Sequence, residues 1–314
     1  MRGFPASENP ASSSFACGGF WLTISAQRIS THATTARRLD NTRLDDFMKS
    51  KHWTAARIRA LKGHERIVSL TAYDAATARL ADEGGAHLIL VGDSLAQSVL
   101  GYDTTLPVTM EQMLHHTAAV VRGAQQALVV ADMPFLSYQV SDEQALRNAG
   151  RFVQEAGAGA VKIEGGVFRA ATIARLVSNG IPVLGHIGLT PQSVLTLGGY
   201  KVQGRTNPAA ASLIEDARAV SAAGAFAVVV ECVPQALGAA LTEACAAPTI
   251  GIGAGAQCDG QILVLNDLVG LTPPEDTPRM SKRYAETGAA MREAIAAYRR
   301  EVISGAFPGP KNVY

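Results

Sequence analysis

Cysteine is scarce in this 314-residue sequence: Cys17, Cys232, Cys245 and Cys258 lie far apart and form no Cys-x-x-Cys pair. That excludes a disulfide framework and a thiolate zinc site, and the four read as reduced thiols of an intracellular protein. An excess of one charge is also lacking. Lys and Arg total 28 against 27 Asp and Glu, a net of +1, which offers no electrostatic footprint for nucleic acid or an anionic membrane. No apolar run reaches the roughly 20 residues that span a bilayer, because Gly, Ser, Asp and Glu interrupt every candidate. A hydrophobic content of 47% excludes wholesale disorder.

Acidic residues are missing from the start of the chain. Residues 1–39 carry ten Ser or Thr, the four arginines Arg2, Arg28, Arg37 and Arg38, and one acid, Glu8, with no sustained helical or strand period. An Arg-rich, Ser-rich, acid-poor start fits an organellar transit peptide, and equally a leader annexed by a start codon placed too far upstream, with Met48 as the first residue. We take residues 1–47 as an unstructured leader or extension outside the fold. The rest of the chain, 48–314, is expected to be a cytoplasmic protein, or an organellar one if the extension is a working signal.

Short apolar runs alternate with amphipathic stretches from about Trp53 onward. The runs are Ile67–Ala72, His87–Gly92, Ala127–Ala131, Ala160–Ile163, Ile181–Gly185, Ala225–Val230, Pro248–Ile252 and Ile262–Leu265. Their length and their Val, Ile and Leu content suit parallel strands buried on both faces. Helical patterns lie between them at Ala75–Glu83, Glu111–Arg122, Asp142–Ala156 and Pro208–Ala223. Eight strands, each followed by a helix or long loop, predict an α/β fold with a single (β/α)8 TIM barrel, better than an open doubly wound sheet. A helix near Trp53–Leu61 is expected to plug the bottom, and the final helix, Arg283–Val302, to close the ring or extend beyond it. Length alone allows one or two domains, and no second domain is needed.

Chemistry in such a barrel sits at the C-terminal ends of the strands, and acids fall there repeatedly: Asp93, Asp132, Glu164 and Glu231. A single carboxylate after a strand often merely caps the next turn. Four on one rim would repel one another, which calls for a cation or a raised pKa. Lys162 and Glu164 are two apart on one strand, so both point to the same face. That pairing is either an internal ion pair or a cationic anchor beside a metal-binding acid, and the neighbouring acids favour the second. An all-oxygen donor set suits Mg²⁺ and disfavours zinc.

Nine strings then carry a resemblance. They are TAYD (Thr71–Asp74), VGDSL (Val91–Leu95), TTLPVT (Thr104–Thr109), VKIEGG (Val161–Gly166), GHIGLTPQS (Gly185–Ser193), GGYKVQGR (Gly198–Arg205), ECVP (Glu231–Pro234), IGIGAG (Ile250–Gly255) and DGQILV (Asp259–Val264). In this order, from about Ile58 to Pro308, the chain resembles the ketopantoate hydroxymethyltransferase (3-methyl-2-oxobutanoate hydroxymethyltransferase) family. The resemblance implies transfer of a one-carbon unit from 5,10-methylenetetrahydrofolate to 3-methyl-2-oxobutanoate. The product would be 2-dehydropantoate, on the way to pantothenate and coenzyme A, made by an Mg²⁺-dependent barrel assembled as a homodecamer. It further implies that Asp93, Asp132 and Glu164 surround the metal, that Asp93, Ser94, Asp132 and Lys162 touch the keto acid, and that Glu231 is the catalytic base.

These residue types suit that chemistry. Removing a proton from C3 of a 2-oxo acid builds negative charge on the keto oxygen, which a divalent ion stabilises as a Lewis acid. Lys162 can neutralise the substrate carboxylate, and a carboxylate base must be oriented at C3 from another strand. Partial desolvation of Glu231 behind its apolar strand is expected to raise its basicity.

His186, expected to end the fifth strand, receives a supporting role. The glycines of IGIGAG suit close backbone packing at the rim better than a phosphate cradle, because the later acid of a dinucleotide fingerprint is missing. Tyr200, Lys201 and Arg205 sit in a Gly-bounded loop that could cover the site or contact the folate tail. His115 and His116 are assigned no metal role. The sequence departs from the family pattern at Ala96–Ser98, at Asn266 and along 272–284, all away from the metal and base positions. Two alternatives are a lyase or mutase of the phosphoenolpyruvate mutase and isocitrate lyase group, and a non-catalytic assembly subunit. ECVP, GGYKVQGR and the lack of a recognisable catalytic Cys loop oppose the first, and the intact acids oppose the second.

Overall fold

The apolar runs become strands because their β-branched residues fit a pleated surface covered on both faces. In the computed structural model, which describes residues 52–314, these are β1 (Ile67–Thr71), β2 (Leu88–Val91), β3 (Leu128–Asp132), β4 (Ala160–Glu164), β5 (Val183–Gly188), β6 (Ala227–Glu231), β7 (Thr249–Ile252) and β8 (Gly260–Leu263). They pair in chain order, all parallel, and β8 closes on β1. The expected leader, residues 1–47, and Met48 lie outside the described residues.

Helix α1 (Ala55–Ala60) precedes the barrel. The longer helices among the strands are α2 (Ala75–Glu83), α4 (Met110–Gly123), α5 (Asp142–Gln154), α6 (Ala170–Ser178), α8 (Asn207–Ala222) and α9 (Gln235–Ala244). One-turn helices α3 (Leu95–Ser98), α7 (Val194–Leu197) and α10 (Leu265–Leu268) follow β2, β5 and β8. Side-chain caps set several helix starts: Asp74 accepts from the Thr77 amide, Ser141 from Gln144, and Thr109 with Gln112 forms a reciprocal capping box.

Period-2 alternation splits the apolar side chains between two cores. Ile67, Leu88, Leu128, Ala227 and Ile250 meet inside the barrel with Ile58 of α1. Val129, Val161, Val183 and Val228 face the helices. Helix α1 is a plug at the bottom: Arg59 donates to the Ala225 carbonyl at 2.9 Å, and Lys62 pairs with Asp259 at 3.0 Å, both on loops that feed strands.

Two details differ from the sequence pattern, and a third decides between two expected outcomes. β8 starts at Gly260, because backbone pairing to Ile67 and Val68 needs no apolar side chain, and Leu265 already begins α10. β5 continues to Gly188, so His186 lies within the strand opposite Glu164 and does not end it. The final helix, α11 (Thr287–Ser304), extends beyond the ring: it buries none of its residues and leaves Met291, Ile295, Tyr298 and Val302 as an exposed apolar stripe. Val68, facing outward from β1, stays 48% exposed where a covering helix would sit.

Candidate active site

The C-terminal ends of the strands open into a cavity of about 730 Å³. Asp93, Ser94, Asp132, Lys162, Glu164, His186 and Glu231 all line it, so every site residue named from the sequence arrives in one place. Their strands explain why. Asp132, Glu164 and Glu231 are the last residues of β3, β4 and β6, and Asp93 follows β2 by two residues. Lys162 and Glu164 both reach the interior, as their spacing requires.

Lys162 is the hub of the charge arrangement. Its Nζ donates to both oxygens of Asp132 at 2.8 Å and lies 3.6 Å from Glu164 Oε1, with only 4% of the side chain exposed. Burial alone would push this ammonium down, but Asp132, Glu164 and Asp93 outweigh it and hold Lys162 well above the usual lysine range. Asp93 is displaced most among the acids. Burial, then the charges of Asp132 and Glu164, push its carboxyl well up, opposed by Lys162 and the Gln192 amide. Burial also raises Asp132 despite Lys162. Glu164 ends below the usual carboxylate range, because Lys162 and His186 overcome its burial.

Glu231 approaches from β6, two strands beyond Glu164 on β4. His186 bridges it to the cluster, with Nε2 3.1 Å from Glu231 Oε2 and Nδ1 3.3 Å from Glu164 Oε1. These are ion-pair contacts without aligned hydrogen bonds. Burial and Lys162 push His186 down, but the two flanking carboxylates lift it to about 9. Gly188 sets the position of the Glu231 backbone. It pairs with Glu231 at φ +92°, and a Cβ built there would stand 2.3 Å from the Glu231 carbonyl oxygen. Gly188→Ala is therefore expected to cost about 1–3 kcal/mol in urea unfolding from backbone strain. It should also lower turnover roughly a hundredfold, the effect of moving a reacting group by about 1 Å.

Several residues in or behind the cavity wall carried no readable signal. Gln192, buried in a turn after β5, donates through Nε2 to Asp93 at 3.0 Å and through its backbone amide to Glu164 at 3.1 Å. Tyr73, from the TAYD string, holds the Ser94 hydroxyl at 2.8 Å. The divergent segment 272–284 supplies Asp276, Arg279, Met280 and Ser281 to the cavity wall. Buried Asp267 anchors that segment by accepting from Thr272 and Ser281.

The Gly-bounded loop contributes Tyr200 and Val202, whereas Lys201 and Arg205 do not line the cavity. Burial, followed by the charges of Asp93 and Glu231, raises the Tyr200 hydroxyl, which places it in the field of the acids. The glycines of IGIGAG pack on neighbours: Cβ atoms at Gly253 and Gly255 would meet Met280 and Gln235. Asn266 ties the loop after β8 to the Ser98 carbonyl, and His116 bonds the Tyr73 carbonyl.

The cluster fits a hard divalent cation in charge and donor type. Three buried carboxylates face one lysine, and Glu164 Oε1 is buried without a hydrogen-bond partner. Asp132 is engaged by Lys162 on both oxygens, and among the described residues no three His, Cys, Asp or Glu side chains stand in an arrangement that could hold a metal ion as they are placed. Also among the described residues, no helix is long and apolar enough to cross a membrane.

The chain is similar to several known proteins. A relative from Carboxydothermus hydrogenoformans, named 3-methyl-2-oxobutanoate hydroxymethyltransferase, is 56% identical over 250 residues, covering 80% of this chain and 90% of that protein. One of the same name from Syntrophus aciditrophicus is 55% identical over 261 residues, covering 83% and 96%. The solved structure of 2,3-dimethylmalate lyase, a PEP mutase/isocitrate lyase superfamily member, aligns at TM-score 0.55 and 20% identity over 82% of this chain and 92% of that one, a likeness of fold alone. The family model described as ketopantoate hydroxymethyltransferase matches residues 52–310, which include every residue of the cavity wall, and the chain belongs to that family.

Proposed function

We propose that this protein is a 3-methyl-2-oxobutanoate hydroxymethyltransferase that takes its one-carbon unit from 5,10-methylenetetrahydrofolate and releases 2-dehydropantoate. The observation that carries the reading is the placement of Glu231, on β6, beyond His186 from the Asp93, Asp132, Lys162 and Glu164 cluster, with all six side chains lining one cavity. It sets a base one side chain away from a charge-stabilising site, as enolisation of a 2-oxo acid requires.

Each side chain has a distinct task in this mechanism. Lys162, fixed on Asp132, presents a compact cation to the substrate carboxylate. Ser94, its hydroxyl held by Tyr73, offers a hydrogen bond to the same group. An Mg²⁺ ion held by Asp93, Asp132 and Glu164 would supply Lewis-acid polarisation of the keto oxygen. Glu231 removes the C3 proton, and His186 keeps its carboxylate aimed inward. Water adds to the methylene carbon of the folate iminium, the C–N bond of the resulting carbinolamine breaks to release tetrahydrofolate and formaldehyde, and the C3 carbanion equivalent attacks the formaldehyde carbonyl, whose oxygen takes up a proton to become the product hydroxyl. A cavity of about 730 Å³ exceeds what a five-carbon acid fills, which leaves room for a folate ring near Tyr200 and the 276–281 wall.

The protein is further read as a homo-oligomer, a decamer by family. The exposed apolar stripe of α11 and half-exposed Val68 support self-association. Incubation with both substrates and Mg²⁺ is expected to yield 2-dehydropantoate, and chelation should cut the rate roughly a hundredfold or more, since Lewis-acid stabilisation is worth several kcal/mol. Absence of product from folded, Mg²⁺-loaded protein would refute the assignment.

A further inference from the structure

We propose that Gln192 is the positioning residue of the cation site, locking Asp93 and Glu164 into one arrangement from a turn that belongs to neither of their strands. The proposal rests on the reading that these carboxylates hold a divalent cation. Gln192 lies in the single 3₁₀ turn Pro191–Ser193 after β5, yet its side chain and its backbone each hold a different acid. Nε2 donates to Asp93 Oδ2 at 3.0 Å and to the Met133 carbonyl at 2.9 Å, while the backbone N–H donates to Glu164 Oε2 at 3.1 Å.

The direction of the amide is decided by its surroundings. Oε1 accepts from the Tyr138 hydroxyl at 2.8 Å and from Gln139 Nε2 at 3.0 Å. The Tyr138 hydroxyl can donate there because it accepts from the Glu164 amide at 3.1 Å. Turning the amide over would set Oε1 against a carboxylate and a carbonyl, both acceptors only, so the –NH2 edge must face Asp93. Gln192 and Tyr138 are both buried, which leaves water little chance to substitute.

The consequence is a division of labour among carboxylate oxygens. Gln192 occupies Asp93 Oδ2 and Glu164 Oε2, and Glu164 Oε1 is left buried without a hydrogen-bond partner. Two like charges that would otherwise rotate apart are held with their rotamers already chosen, so binding of a cation does not have to order them. Outer partners of this kind typically change metal affinity 10–100-fold when removed.

Mn²⁺ titration of the full chain, with free Mn²⁺ read by electron paramagnetic resonance, tests this without reference to turnover. Gln192→Met keeps the side-chain length and the backbone bond to Glu164 but removes the amide, and it should raise the Mn²⁺ Kd about 10–100-fold. Tyr138→Phe should raise it in the same direction by a smaller factor, because Gln139 still holds Oε1. A merely structural role would lower the unfolding midpoint and leave the Kd of the folded fraction unchanged. An unchanged Kd in folded Gln192→Met, or in Tyr138→Phe if the first variant does not fold, overturns the positioning role alone. Failure of the wild-type chain to take up Mn²⁺ overturns the cation reading with it.

Discussion

Glu231→Gln should abolish exchange of the C3 proton of 3-methyl-2-oxobutanoate while leaving divalent-cation affinity within a few fold of wild type. General-base catalysis contributes about 10²–10⁴-fold, so a loss of at least a hundredfold is expected. The substitution isolates that role well. Gln has the same shape, Glu231 is partly open to the cavity at 14% side-chain exposure, and its charged neighbour is His186 and not Lys162 or Asp132. Deuterium incorporation in D2O, followed by NMR with keto acid and Mg²⁺ but without folate, measures the proton step before any carbon transfer. Exchange within several-fold of wild type would remove Glu231 from its role and shift attention to the other groups that reach C3.

Lys162→Met is expected to destabilise the fold by about 3–5 kcal/mol, because it leaves buried carboxylates without their counterion. Asp132 loses a partner that meets both of its oxygens, and Glu164 loses the nearest ammonium, while both side chains remain almost fully buried. The sign of the pH dependence follows from linkage. With Lys162 gone, Asp132, already raised by burial, rises further and Glu164 loses the cation that holds it low, so the variant is penalised as pH rises and the carboxyls must ionise. The gap between variant and wild type should therefore narrow at pH 5 and widen at pH 8 in urea unfolding with chelator present. A deficit under about 1 kcal/mol, or one independent of pH, contradicts a buried counterion.

How much of this was legible depended on the distance over which a pattern acts. Asp132, Glu164 and Glu231 were readable because each ends an apolar run, and Lys162 because it sits two residues before Glu164. Gln192 was not, although GHIGLTPQS was recognised as a string: its partner Asp93 lies 99 residues away, and no local period tells which turn folds inward. Tyr73 was hidden in the same way, since a tyrosine after a strand looks alike whether it packs or holds a serine. The 272–284 segment reads as divergent loop, and only Asp267 pulling on Thr272 and Ser281 brings it to the cavity wall.

Alternation and run length determined, from the residues alone, the barrel, the strand order and the faces on which the acids stand, because side-chain direction in a strand follows from chain geometry over a few residues. What only the tertiary structure decided is the wiring between strands: Lys162 on Asp132, His186 between Glu164 and Glu231, and Gln192 across Asp93 and Glu164. It also decided that α11 buries none of its own residues. Those outcomes depend on barrel closure, which brings together groups far apart in the chain and removes the water that would otherwise screen them.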